Sequence, residues 1–87
     1  MRARKIRTLR IGVGDSATLP IALAKGERIV RCASSNSAVV ECRVSNGAAV
    51  VTAVAEGSAA VTVLISCRGR PNRQVAFAIR AVEEDEE

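Results

Sequence analysis

The side chains best suited to covalent or metal chemistry in this sequence are three cysteines, Cys32, Cys42 and Cys67. A thiol acts as nucleophile only as the thiolate, which ordinarily needs a base beside it. The chain contains no His, so the usual base and the commonest metal ligand are both missing. Spacings of ten and twenty-five residues leave no CxxC pair, and an odd count makes a poor disulfide framework in a short chain. Core packing is therefore the expected role of all three. Whether Cys32 and Cys42 approach closely enough for a bridge is a matter of geometry that spacing does not settle.

The carboxylates offer little more. Asp15, Glu27, Glu41 and Glu56 are isolated, and no D-x-D loop gathers the several oxygen ligands that calcium requires. Glu83, Glu84, Asp85, Glu86 and Glu87 form a terminal run with no framework to hold two of them at a catalytic separation. The expectation is a non-enzyme with no catalytic or metal-ligating residues, no cofactor and no small-molecule substrate.

Charge is the second chemical signal. The net charge of +4 conceals a strong polarity, because Arg2, Arg4, Lys5, Arg7 and Arg10 crowd the first ten residues and the acidic run closes the chain. Without that run, 13 basic residues face 4 acidic ones, a body of +9. A further basic cluster lies at Arg68, Arg70 and Arg73. Residues 1–8 read as a basic arm, 9–82 as the folded domain and 83–87 as an acidic tail. The arm (Arg2, Arg4, Lys5, Arg7) is the first candidate partner contact and the Arg68, Arg70, Arg73 loop the second. Charge runs at chain ends also serve simply as solvated tails.

The elements that must position these groups follow from the apolar residues. At 87 residues and 48% hydrophobic, the chain has room for one small domain. It carries 12 Val and 6 Ile against 4 Leu, with one Phe and no Trp or Tyr. Such β-branched side chains suit a pleated, half-buried surface. Leu9, Ile11 and Val13 alternate before the turn at Gly14-Asp15-Ser16. Ala17, Leu19, Ile21 and Leu23 alternate after it, with a kink or sheet edge expected at Pro20. Further strands are expected over residues 28–33, 38–44, 48–54, 59–67 and 74–82. Ile29 or Val30 faces inward on the first of these, together with Cys32; Cys42 faces inward on the second. Val61, Val63 and Ile65 line one face of the long strand 59–67, and Val75, Phe77 and Ile79 line the last. Asn46-Gly47 suits a tight hairpin, and Arg68-Gly69-Arg70-Pro71-Asn72 is expected to form a basic hairpin loop. About seven short strands, with turn signals every eight to twelve residues and no sustained 3.6-residue period, predict an all-β Greek-key sandwich of immunoglobulin type.

Three stretches are similar to the bacterial immunoglobulin-like domain, group 2, a module also found in intimin- and invasin-type surface proteins and in phage structural proteins. Residues 9–19, LRIGVGDSATL, resemble that family's opening strand, V-G-[ED]-S turn and second strand. Residues 32–40, CASSNSAVV, resemble its W-x-S-S-[ND]-x-x-V segment. Asn46-Gly47 and residues 51–63, VTAVAEGSAAVTV, resemble its N-G-x-V-T-A-x-x-x-G-x-x-x-I-T stretch. Cys32 stands where the family usually has Trp, and the spacing from Asn-Gly to Val-Thr-Ala is about two residues longer here. Loss of that Trp removes an anchor of about 150–250 Å², leaving a thinner core or one that leans on a neighbour. The resemblance implies a spacer or docking module rather than a particular activity.

A core of small side chains in so short a chain is expected to be marginal alone, and a partner that binds only the folded form would stabilise it by mass action. The leading expectation is accordingly a structural or docking module, a small virion component that decorates a phage capsid or tail, contacting capsid or tail proteins or copies of itself and able to mediate adhesion. The start at Met1, the absence of a secretory signal in the basic opening segment and the odd cysteine count favour synthesis in the cytoplasm and a place in the virion. The alternative is an Ig-like repeat of a bacterial cell-surface adhesin. A second alternative, sequence-blind nucleic-acid binding, has the +9 body in its favour. It lacks an aromatic platform, since the single Phe77 is expected to be buried, and the acidic tail competes for the same surface. No apolar run is long enough to insert in a membrane as a helix.

Overall fold

A computed structural model of the protein describes residues 7–83. Arg2, Arg4 and Lys5 of the basic arm, and Glu84–Glu87 of the acidic tail, lie outside the described residues. Seven strands follow one another: β1 (Arg7–Gly12), β2 (Ser16–Thr18), β3 (Glu27–Ser34), β4 (Val40–Ser45), β5 (Ala48–Ala53), β6 (Gly57–Cys67) and β7 (Arg70–Val82). They form two sheets, ordered β1-β7-β6-β3 and β2-β5-β4. The protein is thus all-β, with its two sheets facing each other as a β-sandwich. Every paired neighbour is antiparallel except β1 and β7, which run parallel from Arg7↔Phe77 to Gly12↔Val82. The first two residues of this ladder, Arg7 and Thr8, belong to the sheet rather than to an arm.

Period-two alternation places the core between the sheets. On β6, Ala59, Val61, Val63, Ile65 and Cys67 point inward and are buried, while Ser58, Ala60, Thr62, Leu64 and Ser66 point outward. Phe77, Ile79 and Ala81 of β7 meet them from the same sheet, and Val40, Ala49, Val51 and Ala53 close the core from the other. Ile11 and Leu19 are buried at its margin, with Leu9, Val13, Ile21, Cys32, Cys42 and Val75 partly buried against it. Fully burying each Val or Ile contributes about 1.5–3 kcal/mol, and apart from Phe77 nothing in the core is larger than Leu or Ile.

The strand between the first and third turns differs from expectation. Only Ser16–Thr18 pairs with β5, and residues 19–26 form an irregular crossover to β3. Pro20 is the reason: it has no N–H to give to a ladder. The chain folds tightly around it instead, with Ile21 N–H donating to the Leu19 carbonyl at 3.0 Å. Leu19 itself stays tied to β5 through the Ala49 carbonyl at 2.8 Å. On β3 the choice between Ile29 and Val30 is resolved by a bulge. Register passes from Ile29↔Ile65 to Arg31↔Leu64, so Val30 is the additional residue and Ile29 and Cys32 both face the core. The β6–β7 loop is shorter than expected, with Arg68-Gly69 as the turn, Gly69 at φ 73°, and Arg70–Asn72 already part of β7.

Hydrogen bonds fix the connections between strands, and one turn also links the two sheets. Between β1 and β2, Val13 N–H donates to the Val82 carbonyl and Gly14 N–H to the Ala53 carbonyl, at 2.9 and 2.8 Å, so one turn ties β7 to β5. Between β3 and β4, Ser35 N–H donates to the Ala60 carbonyl and Ser35 Oγ accepts from Ala60 N–H, at 2.8 and 2.9 Å. Asn36 Oδ1 accepts from Ala38 N–H in the same loop. Asn46 and Gly47, at φ 51° and 78°, make the two-residue β4–β5 hairpin.

Between β5 and β6 the Val39 carbonyl accepts from Val54 and Ala55, and the chain turns at Gly57 with φ 146°, where an added Cβ would lie 3.2 Å from Val39 Cγ2. Both backbone angle and space therefore demand glycine here. Gly57→Ala is expected to cost about 1–3 kcal/mol in urea unfolding. In a double-mutant cycle with Val39→Ala, part of that loss should couple to Val39, the contact component, while the backbone component persists.

Candidate functional site

The outward face of the four-stranded sheet carries charge of one sign. Arg10 on β1 lies directly beside Arg80 on β7 in the parallel ladder, and both are exposed. At the far margin Arg31 and Arg28 project from β3, beside Leu64 and Ser66 of β6. Between these arginines the face is built of small residues, Ala60, Ala76, Ala78 and Thr62 among them. Among the described residues the outward strand positions of this face hold no carboxylate, and Glu56, in the turn before β6, shares an open depression with Ser58 and Arg80 at its margin. Adjacent strands lie about 4.8 Å apart, so Arg10 and Arg80 are neighbouring like charges, an arrangement that costs stability unless an anion meets it.

The three-stranded sheet is different. Its outward positions include Glu41 as well as Arg43, and a hydrogen bond of 2.8 Å joins Ser16 Oγ to Thr52 Oγ1. The cationic character is thus confined to one side of the sandwich and extends to one end of it. At the β6–β7 hairpin, Arg68 and Arg70 are exposed. Arg28 and Arg68 share an open depression of about 410 Å³ with Gly26, Glu27 and Ser66. Because β1 runs parallel to β7, it enters the sheet from the hairpin side. Its first residue, Arg7, is paired at Phe77, well before β7 ends at Val82. The chain thus enters this ladder at Arg7 on the hairpin side and leaves it at Val82 at the other end.

Arg73 is set apart from its neighbours. Its Nε and Nη2 donate to the two carboxylate oxygens of Glu27 at 3.1 and 2.9 Å, and Nη2 also donates to the Ala22 carbonyl at 3.3 Å. Glu27 is further bound by Ala24 N–H at 2.8 Å and by the Cys67 thiol at 3.4 Å. Its side chain is only 6% exposed. One partly buried carboxylate thus fastens the irregular crossover and the start of β3 to the base of β7. Arg73 is committed to this cluster, which leaves Arg68 and Arg70 as the exposed pair of the sequence-derived loop candidates. Arg28 and Arg31 join them only through strand register. The signal that could have found them is the phase of outward positions on β3, which the Val30 bulge resets.

The cysteines are placed as follows. Cys67 is buried at the inner end of β6 against Glu27; Cys32 and Cys42 are half-buried and face inward from β3 and β4. Burial, and secondarily the neighbouring Cys32 thiol, push the Cys42 pKa up to about 12. All three thiols are free. Among the described residues no three His, Cys, Asp or Glu side chains are grouped to hold a metal ion. Comparison of the sequence with protein-family models and with curated proteins returns no match.

The Glu27 cluster gives the fold a defined acid response. The Arg73 hydrogen bond, followed by that of Ala24, lowers the Glu27 pKa from 4.5 to about 2. Below pH 4.5 the unfolded chain takes up this proton while the folded chain does not, so the contribution of Glu27 is complete above pH 4.5 and disappears as pH falls towards 2. Glu27→Gln is expected to lower the urea midpoint at pH 7 and to flatten the decline in that acid window. An unchanged acid slope in the variant would show that other carboxylates set it.

Proposed function

We propose that this protein is a non-catalytic immunoglobulin-like docking module, a small virion component that binds an assembled phage capsid or tail through its cationic side. Support for the Greek-key immunoglobulin arrangement comes from the strand order. The first strand lies parallel to the last in a β1-β7-β6-β3 sheet, facing β2-β5-β4, with crossovers at the positions where three sequence stretches resemble the group 2 bacterial Ig-like domain. The observation that carries the docking role is the row of outward arginines on the four-stranded sheet, Arg10, Arg80, Arg31 and Arg28, with Arg68 and Arg70 at its hairpin end and no carboxylate at an outward strand position among the described residues. A sheet face of mostly small residues offers a broad contact without a pocket, and arginines with no ion-pair partner among the described residues select an acidic surface and set register. A repeat of a cell-surface adhesin would use the same module in another setting.

Nucleic acid is the competing partner for such a face. The only aromatic side chain, Phe77, is 3% exposed inside the core, which leaves phosphate attraction without base stacking.

Co-sedimentation of the full chain with assembled phage capsids and tails, beside a retention assay on duplex DNA, separates these partners. Salt-dependent sedimentation with particles is expected, weakened at least tenfold when Arg28, Arg31, Arg68 and Arg70 are together changed to Gln. DNA retention is expected to be weak at 0.15 M salt, where the screening length is about 8 Å. Tight DNA retention with no particle binding would transfer the function to nucleic acid.

A further inference from the structure

Cys32 and Cys42 occupy a position that the docking role leaves unused. β3 is an edge of the four-stranded sheet and β4 an edge of the three-stranded sheet, and the crossover 35–39 makes them neighbours on the same side of the sandwich. The bulge at Val30 turns Cys32 inward at the level of Val63, and Cys42 turns inward at the level of Val51. Both side chains turn into the space between the sheets and pack against the core there, and the Cys32 thiol is, after burial, the neighbour that raises the Cys42 pKa. Neither is fully buried, so a small reagent can reach the pair from the open edge. Cys67 is held apart, four residues along β6 from Val63, about 13 Å, with its thiol directed to Glu27.

We propose that Cys32 and Cys42 are a thiol-oxidation site that closes to a disulfide joining the two sheets, with a small disulfide oxidant of the glutathione class as its reaction partner. The thiolate of one cysteine attacks a sulfur of oxidised glutathione; a protein–glutathione bond forms, and one glutathione leaves, taking up the proton that the cysteine lost. The second cysteine gives up its proton and attacks the protein sulfur of that mixed disulfide. The Cys32–Cys42 bond forms, the bond to glutathione breaks, and a second reduced glutathione leaves. Two protein thiols are oxidised by two electrons and one glutathione disulfide is reduced to two thiols, with protons conserved.

The bond would act at the β3–β4 edge, where the two sheets share no ladder. Hydrogen bonds of the Ser35 and Asn36 loop hold one end of the β3–β4 side, and the disulfide would fasten its middle. In a reducing compartment the pair stays open, and in an oxidising one it closes.

The test uses the full reduced chain incubated with oxidised glutathione, in native buffer and in 8 M urea (a concentration of about this size unfolds small domains), followed by intact mass and peptide mapping. The native product is expected to lose two hydrogens, to contain the single link Cys32–Cys42 with Cys67 still alkylatable, and to unfold at a higher urea midpoint that dithiothreitol reverses. In urea, links that include Cys67 should appear as well. The Cys67→Ser variant should give the same native product. A native reaction that stops with glutathione still bound, or that links Cys67, would overturn the assignment.

Discussion

Two sheets held together by side chains no bulkier than isoleucine, apart from Phe77, must lie close and stay in register, and most other features of this protein answer to that constraint. Val61, Val63 and Ile65 of β6 have no exposed surface, and their partners across the core are Val40, Val51 and alanines. A small core contributes little per residue against the entropy of ordering the chain. Local connections therefore matter more than in a sandwich with a large aromatic at its centre. The crossovers supply them: Val13–Asp15 joins β7 to β5, Ser35 joins the β3–β4 loop to β6, and the Val39 carbonyl gathers the turn into β6.

The charged groups divide along the same logic. One carboxylate, Glu27, is largely covered and held by Arg73, Ala24 and Cys67. It closes the hairpin end, where the irregular segment after Pro20 gives no ladder hydrogen bonds. The remaining arginines of that region stay on the surface. Structural and surface roles are thus divided within a single basic cluster, and the division depends on which guanidinium reaches Glu27 rather than on sequence proximity.

Much of the sandwich was legible in the chain. Strict alternation marked β6 and the second half of β7, Asn46-Gly47 marked its hairpin, and the absence of any helical period excluded helices. Three features were not legible, each for a physical reason. A bulge such as Val30 depends on the partner strand, so alternation on β3 alone leaves Ile29 and Val30 equivalent. The collapse of the expected strand after Ser16 reflects a missing N–H at Pro20 whose consequences reach several residues beyond it. The two-residue turn at Arg68-Gly69 is dictated by pairing of Cys67 with Arg70, which composition does not encode. The same limits apply to the candidate surface. Arg68 and Arg70 were visible as a cluster, whereas Arg28, Arg31, Arg10 and Arg80 form a common face only once four strands are set side by side, and Arg73 leaves the cluster only once Glu27 is placed.

The parallel pairing of β1 with β7 has a mechanical consequence. The chain enters this ladder at Arg7 and leaves it at Val82, at opposite ends of six paired positions. Tension applied through the two termini would pull these strands past each other lengthwise, so that all the rungs resist together instead of opening one at a time. A sandwich wired in this way can transmit a pull along β1 and β7 without first opening its core.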